Sequence, residues 1–224
     1  MKQIRYLMML FLALLSFLGS ASFASAAAPV VLVLGDSLSA AYGLSEKAGW
    51  VNLLREKLAA RNPSYDVVNA SISGDTTRGG LSRLDAALKQ HKPQIVIIEL
   101  GGNDALRGLS LRTMRSNLDS IVNAVQQAHA KPLIVGVEMP PNYGPVYTKQ
   151  FAQVFQDIAQ KYNIPLVPSI FAGFSNKYDH FQSDGIHPVA TAQPIMLETI
   201  WKGLVPLLED VPGKSVLLLK HPNS

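Results

Sequence analysis

The stretch VVLVLGDS at residues 30–37 opens with five apolar residues and closes with a glycine, an acid and a serine. An unbroken apolar run of this length is typical of a strand buried on both faces, as in a parallel sheet covered by helices. Gly35 ends the run, so Asp36 and Ser37 are expected at the carboxyl end of that strand. In such sheets this is the end at which ligands bind, so Ser37 is a candidate for a functional role.

Similar apolar runs recur along the chain and alternate with segments whose apolar residues have helical spacing. The apolar runs predict further strands at 66–70, 94–100, 132–137 and 164–167. The helical spacing predicts helices at 50–60, 81–92, 111–130, 147–162 and 191–208. Regular alternation of strand and helix predicts one α/β domain, in which a mostly parallel five-stranded sheet has helices on both faces.

Polar segments that contain glycine follow three of the predicted strands. They are Gly35-Asp36-Ser37, Ser73-Gly74-Asp75 and Gly101-Gly102-Asn103-Asp104. In open parallel sheets, ligands bind beyond the carboxyl ends of the strands, where loops lead into helices. We therefore expect the three segments to face one shared crevice.

Ser37 is the candidate nucleophile. It directly follows a buried strand and is expected to begin a helical segment, which would place its N–H where developing negative charge is favoured. The alternative is that Asp36, Ser37 and Ser39 act only as helix caps. Ser39 also stands where the Gly-x-Ser-x-Gly turn of α/β-hydrolases has its second glycine, which disfavours that fold.

The segment Asp184-Gly185-Ile186-His187-Pro188 offers the partners that a nucleophilic serine needs. The serine requires a base within hydrogen-bond reach, and the base requires a carboxylate that fixes its tautomer and orientation. His187 and Asp184 are three residues apart and could supply both from one turn, with Pro188 favouring an extended His187. The alternative is an ordinary turn with an incidental surface histidine.

Three donors could stabilise a tetrahedral oxyanion beside Ser37. They are the backbone N–H groups of Ser37 and Gly74 and the side-chain amide of Asn103. Glycine at position 74 would let the backbone approach a ligand closely. Taken singly, Gly74 could be only a turn residue, and Asn103 or Asp104 only a helix cap. Their order along successive strand ends favours the functional interpretation.

These blocks resemble the SGNH, or GDSL, hydrolase family. The blocks are GDSLS at 35–39, NASISGDT at 69–76, ELGGND at 99–104, PNYG at 141–144 and DGIHP at 184–188. Within that family, the flanking residues are similar to the periplasmic branch of acyl-CoA thioesterase I, lysophospholipase L1 and the arylesterases. The resemblance covers residues 30–208 and implies a three-layer, flavodoxin-like α/β/α sandwich.

The resemblance also implies an activity and a role for each candidate residue. Ser37 would be the nucleophile, His187 the base and Asp184 its orienting carboxylate, with Ser37, Gly74 and Asn103 as the oxyanion hole. The reaction would be hydrolysis of carboxylic esters or thioesters of acyl chains through an acyl-enzyme on Ser37. The loop at 104–112 would be mobile and would gate the acyl groove.

Substrate contacts are predicted on two segments. Met139, Pro141 and Tyr143 follow the fourth strand and could wall an apolar groove, although ordinary loop packing would explain them equally well. Asp104 and Leu106 belong to the predicted gating loop. The sequence does not distinguish a thioester from an aryl ester or a lysophospholipid as the preferred substrate.

Two other functions are compatible with parts of this pattern. A carbohydrate O-deacetylase on the same fold would use the same residues on an acetylated sugar. A non-catalytic flavodoxin-like module could hold a phosphate at residues 35–39, and it would need neither Asp184 nor His187. Acyl chain-length preference separates the first alternative from a lipid-directed esterase, and labelling by a covalent serine probe separates the second.

The first 26 residues have the three parts of a secretory signal peptide. Lys2 and Arg5 give a positive start, the run 7–18 is almost wholly apolar, and Ala24-Ser25-Ala26 gives a small-residue exit. The apolar run is shorter than the roughly 20 residues of a membrane-spanning helix, although a retained anchor is the alternative. We therefore expect a signal peptide at 1–26, a hydrolase domain at 27–210, a tail at 211–224, and a periplasmic or secreted protein.

Composition excludes several other classes of protein. The chain of 224 residues has no cysteine, so thiolate catalysis, disulfides and cysteine-based zinc sites are absent. The formal net charge of +4 includes Lys2 and Arg5, and no Lys/Arg cluster suggests nucleic-acid binding. Because no histidine cluster has metal-ligand spacing either, we expect neither metal nor cofactor. We also expect a monomer that acts on a small-molecule acyl ester or thioester.

Overall fold

The computed structural model of the chain describes residues 28–61 and 63–209, without the side chains of Pro141 and Glu209. The predicted signal peptide at 1–26 and the predicted tail at 211–224 lie outside the described residues. The described part forms a five-stranded sheet in the order β2-β1-β3-β4-β5. The strands are β1 Val30–Gly35, β2 Asp66–Asn69, β3 Ile95–Glu99, β4 Lys131–Val135 and β5 Leu166–Val167.

All four described strand pairings are parallel, and β1 lies between β2 and β3. Residues 31–34 of β1 are fully buried, as expected for a strand covered on both faces. In the register of β1 and β3, Gly35 lies opposite Glu99, so both strands end at the same edge. The loops that follow the central strands therefore begin at the same edge of the sheet.

Within the described residues, six α-helices cover the sheet. They are α1 Trp50–Ala59, α2 Thr77–His91, α3 Gly102–Leu106, α4 Leu111–Gln127, α5 Pro145–Tyr162 and α6 Gln193–Glu209. Helices α1 and α6 pack together on one face of the sheet, while α2, α4 and α5 pack side by side on the other. This arrangement confirms the predicted three-layer α/β/α sandwich.

The helices bury one face each, because their apolar residues recur at helical spacing. In α4, the side chains of Met114, Leu118, Ile121, Val122 and Val125 are all fully buried. The opposite face of the same helix carries its charged and polar residues. The sequence pattern therefore determines which side of each helix meets the sheet.

Two helices begin earlier than their apolar spacing predicted, because end signals extend them. Helix α2 begins at Thr77, where the Thr76 hydroxyl accepts a hydrogen bond from the N–H of Gly79 at 3.3 Å. Helix α5 begins with Pro145, whose fixed φ suits the first helical position. Apolar periodicity locates the middle of a helix better than its ends.

The prediction that Ser37 begins a helix is wrong. Residues 37–43 form consecutive turns, and the next α-helix after β1 begins only at Trp50. Ala41 and Gly43 have positive φ values of 57° and 74°, a conformation that a right-handed helix cannot continue through. Ser37 is therefore held by a compact turn.

The predicted loop at 104–112 is also largely structured. Its beginning belongs to the short helix α3 and its end to α4, so only residues 107–110 connect the two. Whether this connection moves during turnover stays a prediction. Among residues 28–61 and 63–209, no helix is both long and apolar enough to cross a membrane.

Candidate active site

The structure brings the predicted nucleophile, base and carboxylate into successive hydrogen-bond contact. The Oγ of Ser37 lies 2.9 Å from Nε2 of His187, and Nδ1 of the same ring lies 2.7 Å from Oδ2 of Asp184. Ser37 directly follows β1, whereas Asp184 and His187 lie on the loop before α6. Residues 150 apart in the sequence thus form one hydrogen-bonded chain.

The loop around Asp184 holds the carboxylate in position independently of its contact with the imidazole. Oδ1 of Asp184 accepts the backbone N–H groups of Ile186 and His187 at 2.9 and 3.0 Å, which leaves Oδ2 for the imidazole. Gly185, with φ of 67°, makes this tight turn. Partial burial raises the pKa of Asp184, but the hydrogen bonds from His187 and Ile186 outweigh it and lower the pKa to about 2. Asp184 is therefore an anion at neutral pH.

Gln182 connects the loop that carries His187 to the turn at 37–43 that carries Ser37. The sequence did not indicate this role. Its Nε2 donates to the carbonyl of Tyr42 at 2.8 Å and to that of Pro188 at 3.2 Å, while its backbone N–H donates to the carbonyl of His187 at 2.7 Å. The Tyr42 ring also lies 4.4 Å from the His187 ring, centroid to centroid. No local signal distinguishes Gln182, because its partners come together only in the folded chain.

The three predicted oxyanion donors also meet at this edge of the sheet. Ser37, Gly74 and Asn103 all line the same groove. Within the described part of the chain, no hydrogen bond occupies the backbone N–H of Ser37 or of Gly74. Gly74 has φ of 80°, and its carbonyl accepts a hydrogen bond from Arg107 at 2.6 Å. Both N–H groups are free to receive a ligand oxygen.

Asp36 holds the side chain of Asn103. Its Oδ2 accepts Asn103 Nδ2–H at 3.0 Å, and its Oδ1 accepts the N–H of Leu38 at 3.0 Å. Burial raises the pKa of Asp36 to about 6, although the hydrogen bonds from Leu38 and Asn103 and the charge of His187 oppose that rise. The sequence pattern indicated only a capping role for Asp36. Its carboxylate instead decides which way the Asn103 amide points.

The groove beside Ser37 has a volume of about 390 Å³ and mostly apolar walls. Leu106 and Met139, two of the predicted substrate contacts, line it. The apolar side chains around it are Leu38, Tyr42, Leu106, Val137, Met139, Pro140, Phe171, Phe181 and Ile186. Such a groove suits an apolar acyl chain whose reacting carbonyl lies at the polar end.

Two other predicted substrate contacts lie elsewhere. Asp104 is buried, and its carboxylate accepts the N–H and the hydroxyl of Thr77 at 2.8 and 2.6 Å. Tyr143 stacks on Tyr147 at 6.0 Å and does not line the groove. The side chain of Pro141, the remaining predicted contact, lies outside the described atoms.

The buried Asp36 carboxyl gives a pH-dependent prediction. Because its pKa is raised from 3.8 to about 6, the folded state holds the proton more tightly, and this group's contribution to stability falls as pH rises through that window. Asp36→Asn removes the titrating carboxyl and therefore removes this loss of stability at higher pH. Relative to the wild type, we expect the free energy of unfolding of the variant to increase between about pH 4 and about pH 7.

Urea unfolding of both proteins at the two pH values measures this difference. Asp85→Asn, which removes an exposed carboxylate on α2, is the matched control. An equal stability difference between Asp36→Asn and the wild type at both pH values would contradict the assignment of a raised pKa to Asp36.

Fold and site together define the class of protein. A parallel α/β/α sandwich carries a serine, a histidine and an aspartate in contact at its carboxyl edge, and the serine lies in a turn that lacks the Gly-x-Ser-x-Gly elbow. This combination is that of an SGNH serine hydrolase.

Comparisons with known proteins agree. The sequence profile of the GDSL-like lipase/acylhydrolase family matches residues 33–193. Esterase TesA of Pseudomonas aeruginosa is 48% identical over 183 residues, covering 82% of this chain and 91% of that protein. Thioesterase 1/protease 1/lysophospholipase L1 of Escherichia coli is 43% identical over 192 residues, covering 86% of this chain and 91% of that protein.

A solved structure extends the likeness to the fold. The psychrotrophic esterase EstA from Pseudoalteromonas sp., inhibited by monoethylphosphonate, superposes with a TM-score of 0.76 at 41% identity, covering 81% of this chain and 99% of that one. The chain belongs to the GDSL-like lipase/acylhydrolase family and is an enzyme that hydrolyses ester or thioester bonds. The non-catalytic phosphate-binding alternative therefore does not apply.

Proposed function

We propose that Ser37 attacks the carbonyl of an acyl ester or thioester, with His187 as general base and Asp184 as the carboxylate that orients it. The observation that carries this proposal is the unbroken contact from Ser37 Oγ through the imidazole to Asp184, with 2.9 and 2.7 Å between successive atoms. A serine hydroxyl is a weak nucleophile until a positioned base accepts its proton. The neighbouring histidine is in place to do so.

The proposed reaction has two steps. In the first, the Ser37 proton passes to His187 Nε2 while Oγ bonds to the carbonyl carbon, and the N–H groups of Ser37 and Gly74 and the amide of Asn103 stabilise the resulting oxyanion. His187 then protonates the leaving alcohol or thiol, which gives an acyl-enzyme on Ser37. In the second step, His187 activates water to release the acid. The Asp184 anion stabilises the imidazolium in both steps.

We propose acyl chains as the substrate class. The groove that begins at Ser37 is apolar, and exposed apolar side chains flank its mouth: Tyr42 and Leu106 are 52% and 37% exposed, and Ile186 is 37% exposed. Apolar surface of this kind gains free energy when an acyl chain covers it. The names of the similar proteins, an esterase and a thioesterase/lysophospholipase, fit the same class.

A panel of nitrophenyl esters of increasing acyl length tests the substrate class. We expect kcat/KM to rise from acetate to medium-length chains, because each methylene covered by the groove contributes up to about 0.8 kcal/mol. Acetylated sugars are the comparison substrates. A preference for acetyl groups, together with release of acetate from those sugars, would instead identify a carbohydrate O-deacetylase.

Phe171 gives a residue-level prediction for the groove. Its side chain lines the groove, so Phe171→Leu lengthens the space for an acyl chain. We expect the ratio of kcat/KM for long over short chains to increase by about tenfold. The matched control is Phe174→Leu. Phe174 packs 5.7 Å from Phe171, ring to ring, but does not line the groove.

The two phenylalanine variants separate groove shape from general loosening. The control is expected to lose stability without changing the chain-length ratio, because it alters only the packing behind the wall. Equal ratios in Phe171→Leu and the wild type, from folded proteins, would mean that the acyl chain binds elsewhere.

We further propose that the mature enzyme lacks residues 1–26 and acts in the periplasm or outside the cell. The charged start, the short apolar run and the small-residue exit support this proposal. Mass spectrometry of the protein from its exporting cell is expected to show an N-terminus at Ala27. An intact Met1 in the membrane fraction would contradict it. A monomer is expected, which light scattering of the same sample measures.

A further inference from the structure

Two carboxyl groups lie buried side by side beneath the candidate oxyanion site. Glu99 ends β3 and Asp36 follows β1, and the two side chains are 1% and 2% exposed. Glu99 is a charged residue type at the end of an otherwise apolar strand, where an isolated anion would be costly. The proposed reaction uses Asp36 only through Asn103 and does not use Glu99 at all.

A hydrogen bond links Glu99 to the turn at 37–43 that carries Ser37, and the two acids lie close to each other. Oε2 of Glu99 accepts the hydroxyl of Ser39 at 2.7 Å, and the Glu99 carboxyl also accepts the backbone N–H of Asp36. The two carboxyl groups are also close enough for a hydrogen bond between them, which contributes to the raised pKa of Glu99. A hydrogen bond between two carboxyl groups requires that one of them carries a proton.

The surrounding charges favour one proton for the pair. Within the described residues, no lysine or arginine forms an ion pair with either acid; the titratable groups that act on Asp36 include His187 and Asp75, and Arg83 pairs with Asp75. Burial and the adjacent Asp36 carboxylate raise the pKa of Glu99 well above its usual range, against hydrogen bonds from Ser39 and from the N–H of Asp36. Asp36 accepts hydrogen bonds from the N–H of Leu38 and from Asn103, and these favour its charged form over that of Glu99.

We propose that Glu99 is a positioning residue: it stays protonated, donates its proton to the Asp36 carboxylate, and so keeps that carboxylate as the acceptor that orients Asn103. This inference rests on the proposed role of Asn103 as an oxyanion donor. The asparagine amide has two hydrogens on Nδ2 and none on Oδ1. When Asp36 accepts one hydrogen, the other remains for the oxyanion.

The alternative is an ionised Glu99 that only anchors the serine turn through Ser39. The two cases differ in what glutamine does at this position. Glu99→Gln reproduces a protonated acid, because its carbonyl accepts from Ser39 and its NH₂ donates to Asp36. Glu99→Met keeps the length of the side chain but removes the donor. The proposal expects the glutamine variant to rescue what the methionine variant loses.

Steady-state kinetics on the full-length enzyme, with a nitrophenyl ester as substrate, tests the positioning role. We expect Glu99→Met to lower kcat by roughly 10- to 100-fold with little change in KM, because a misdirected Asn103 loses most of one oxyanion donor. Glu99→Gln is expected to stay within about threefold of the wild type, since it keeps the hydrogen bonds to the Ser39 hydroxyl and to the Asp36 carboxylate. Ser39→Ala, which removes the other partner of Glu99, is the matched control and is expected to stay well above Glu99→Met.

Combination with Asn103→Ala shows whether Glu99 acts through Asn103. In that background, Glu99→Met is expected to lower kcat no further, because residues that act as one unit are not additive. Circular dichroism of each variant checks the fold. Infrared spectra near neutral pH should show the band of a protonated carboxyl in the wild type, and this band should be absent from Glu99→Gln.

The outcomes separate this inference from the proposed function. If the protonated-carboxyl band is missing in the wild type, or if Glu99→Gln is as impaired as Glu99→Met, the proton on Glu99 is refuted while the roles of Ser37 and His187 stand. A further loss from Glu99→Met in the Asn103→Ala background refutes positioning through Asn103. If Asn103→Ala itself leaves kcat unchanged, the proposed oxyanion hole fails first.

Discussion

Replacing Ser37 with alanine is expected to lower kcat by about 10⁴-fold or more, with the fold intact. The substitution removes only one oxygen from a residue in a turn, so its structural effect is small. It removes the atom that would form the acyl-enzyme. What activity remains should come from binding and the oxyanion donors acting on water. Measurement of kcat with a nitrophenyl ester, after circular dichroism confirms folding, checks this expectation.

The same prediction extends to His187, because the two side chains are in direct contact at 2.9 Å. We expect His187→Ala to resemble Ser37→Ala, and the double variant to lose about as much as either single one, since members of one relay act as a unit. Asp184→Asn is expected to fall between these variants and the wild type, because the base is present but poorly held. A double variant whose loss equals the product of the single losses would mean that the residues act independently.

The control for the serine prediction is Ser73→Ala. Ser73 also lines the groove, so its replacement makes a similar change in the same cavity without touching the relay. We expect only a modest change in kcat. A fluorophosphonate probe should label the wild type and Ser73→Ala but not Ser37→Ala. Unaltered turnover in Ser37→Ala would overturn the proposed mechanism.

Asn103→Ala is expected to lower kcat by roughly 10²- to 10³-fold, less than the loss of the nucleophile. The variant removes one oxyanion donor but leaves the attack chemistry and the backbone donors of Ser37 and Gly74 in place. KM should change little, because an oxyanion donor stabilises the transition state more than the bound ester. The measurement is kcat and KM for the same substrate in both proteins.

Asn52→Ala is the matched control for Asn103→Ala, because Asn52 lies on α1 and does not line the groove. Its kcat is expected to equal that of the wild type. An increase in KM at constant kcat in Asn103→Ala would assign Asn103 to ground-state binding and contradict its role in the oxyanion hole.

The sequence by itself predicted the five strands and five of the six α-helices found among residues 28–61 and 63–209. It also predicted the meeting of Ser37, Gly74 and Asn103. The physical reason is that strand and helix patterns are local, and parallel strands must all present their carboxyl ends on one edge. The placement of Ser37 and Asn103 needed only the ends of β1 and β3. The short helix α3 was missed, because five residues are too few to show an apolar period.

The sequence did not predict which polar side chains at that edge turn inward. Asp104 was expected at the groove, but its carboxylate accepts both the N–H and the hydroxyl of Thr77 at the start of α2. There the anion satisfies an otherwise unpaired donor and faces the positive end of the helix. Position at a strand end limits where a side chain begins, and the neighbouring helix decides where it points.

Only the tertiary structure decided the pairing of Glu99 with Asp36 and the link from Gln182 to the serine loop. These partners are distant in the sequence, and neither pairing leaves a local pattern. Their geometry depends on the register of β1 with β3 and on the approach of the loop before α6. The sequence thus determined the fold and the chemically active residue types, whereas packing between separate segments determined the burial that raises the pKa of Asp36 and the orientation of Asn103.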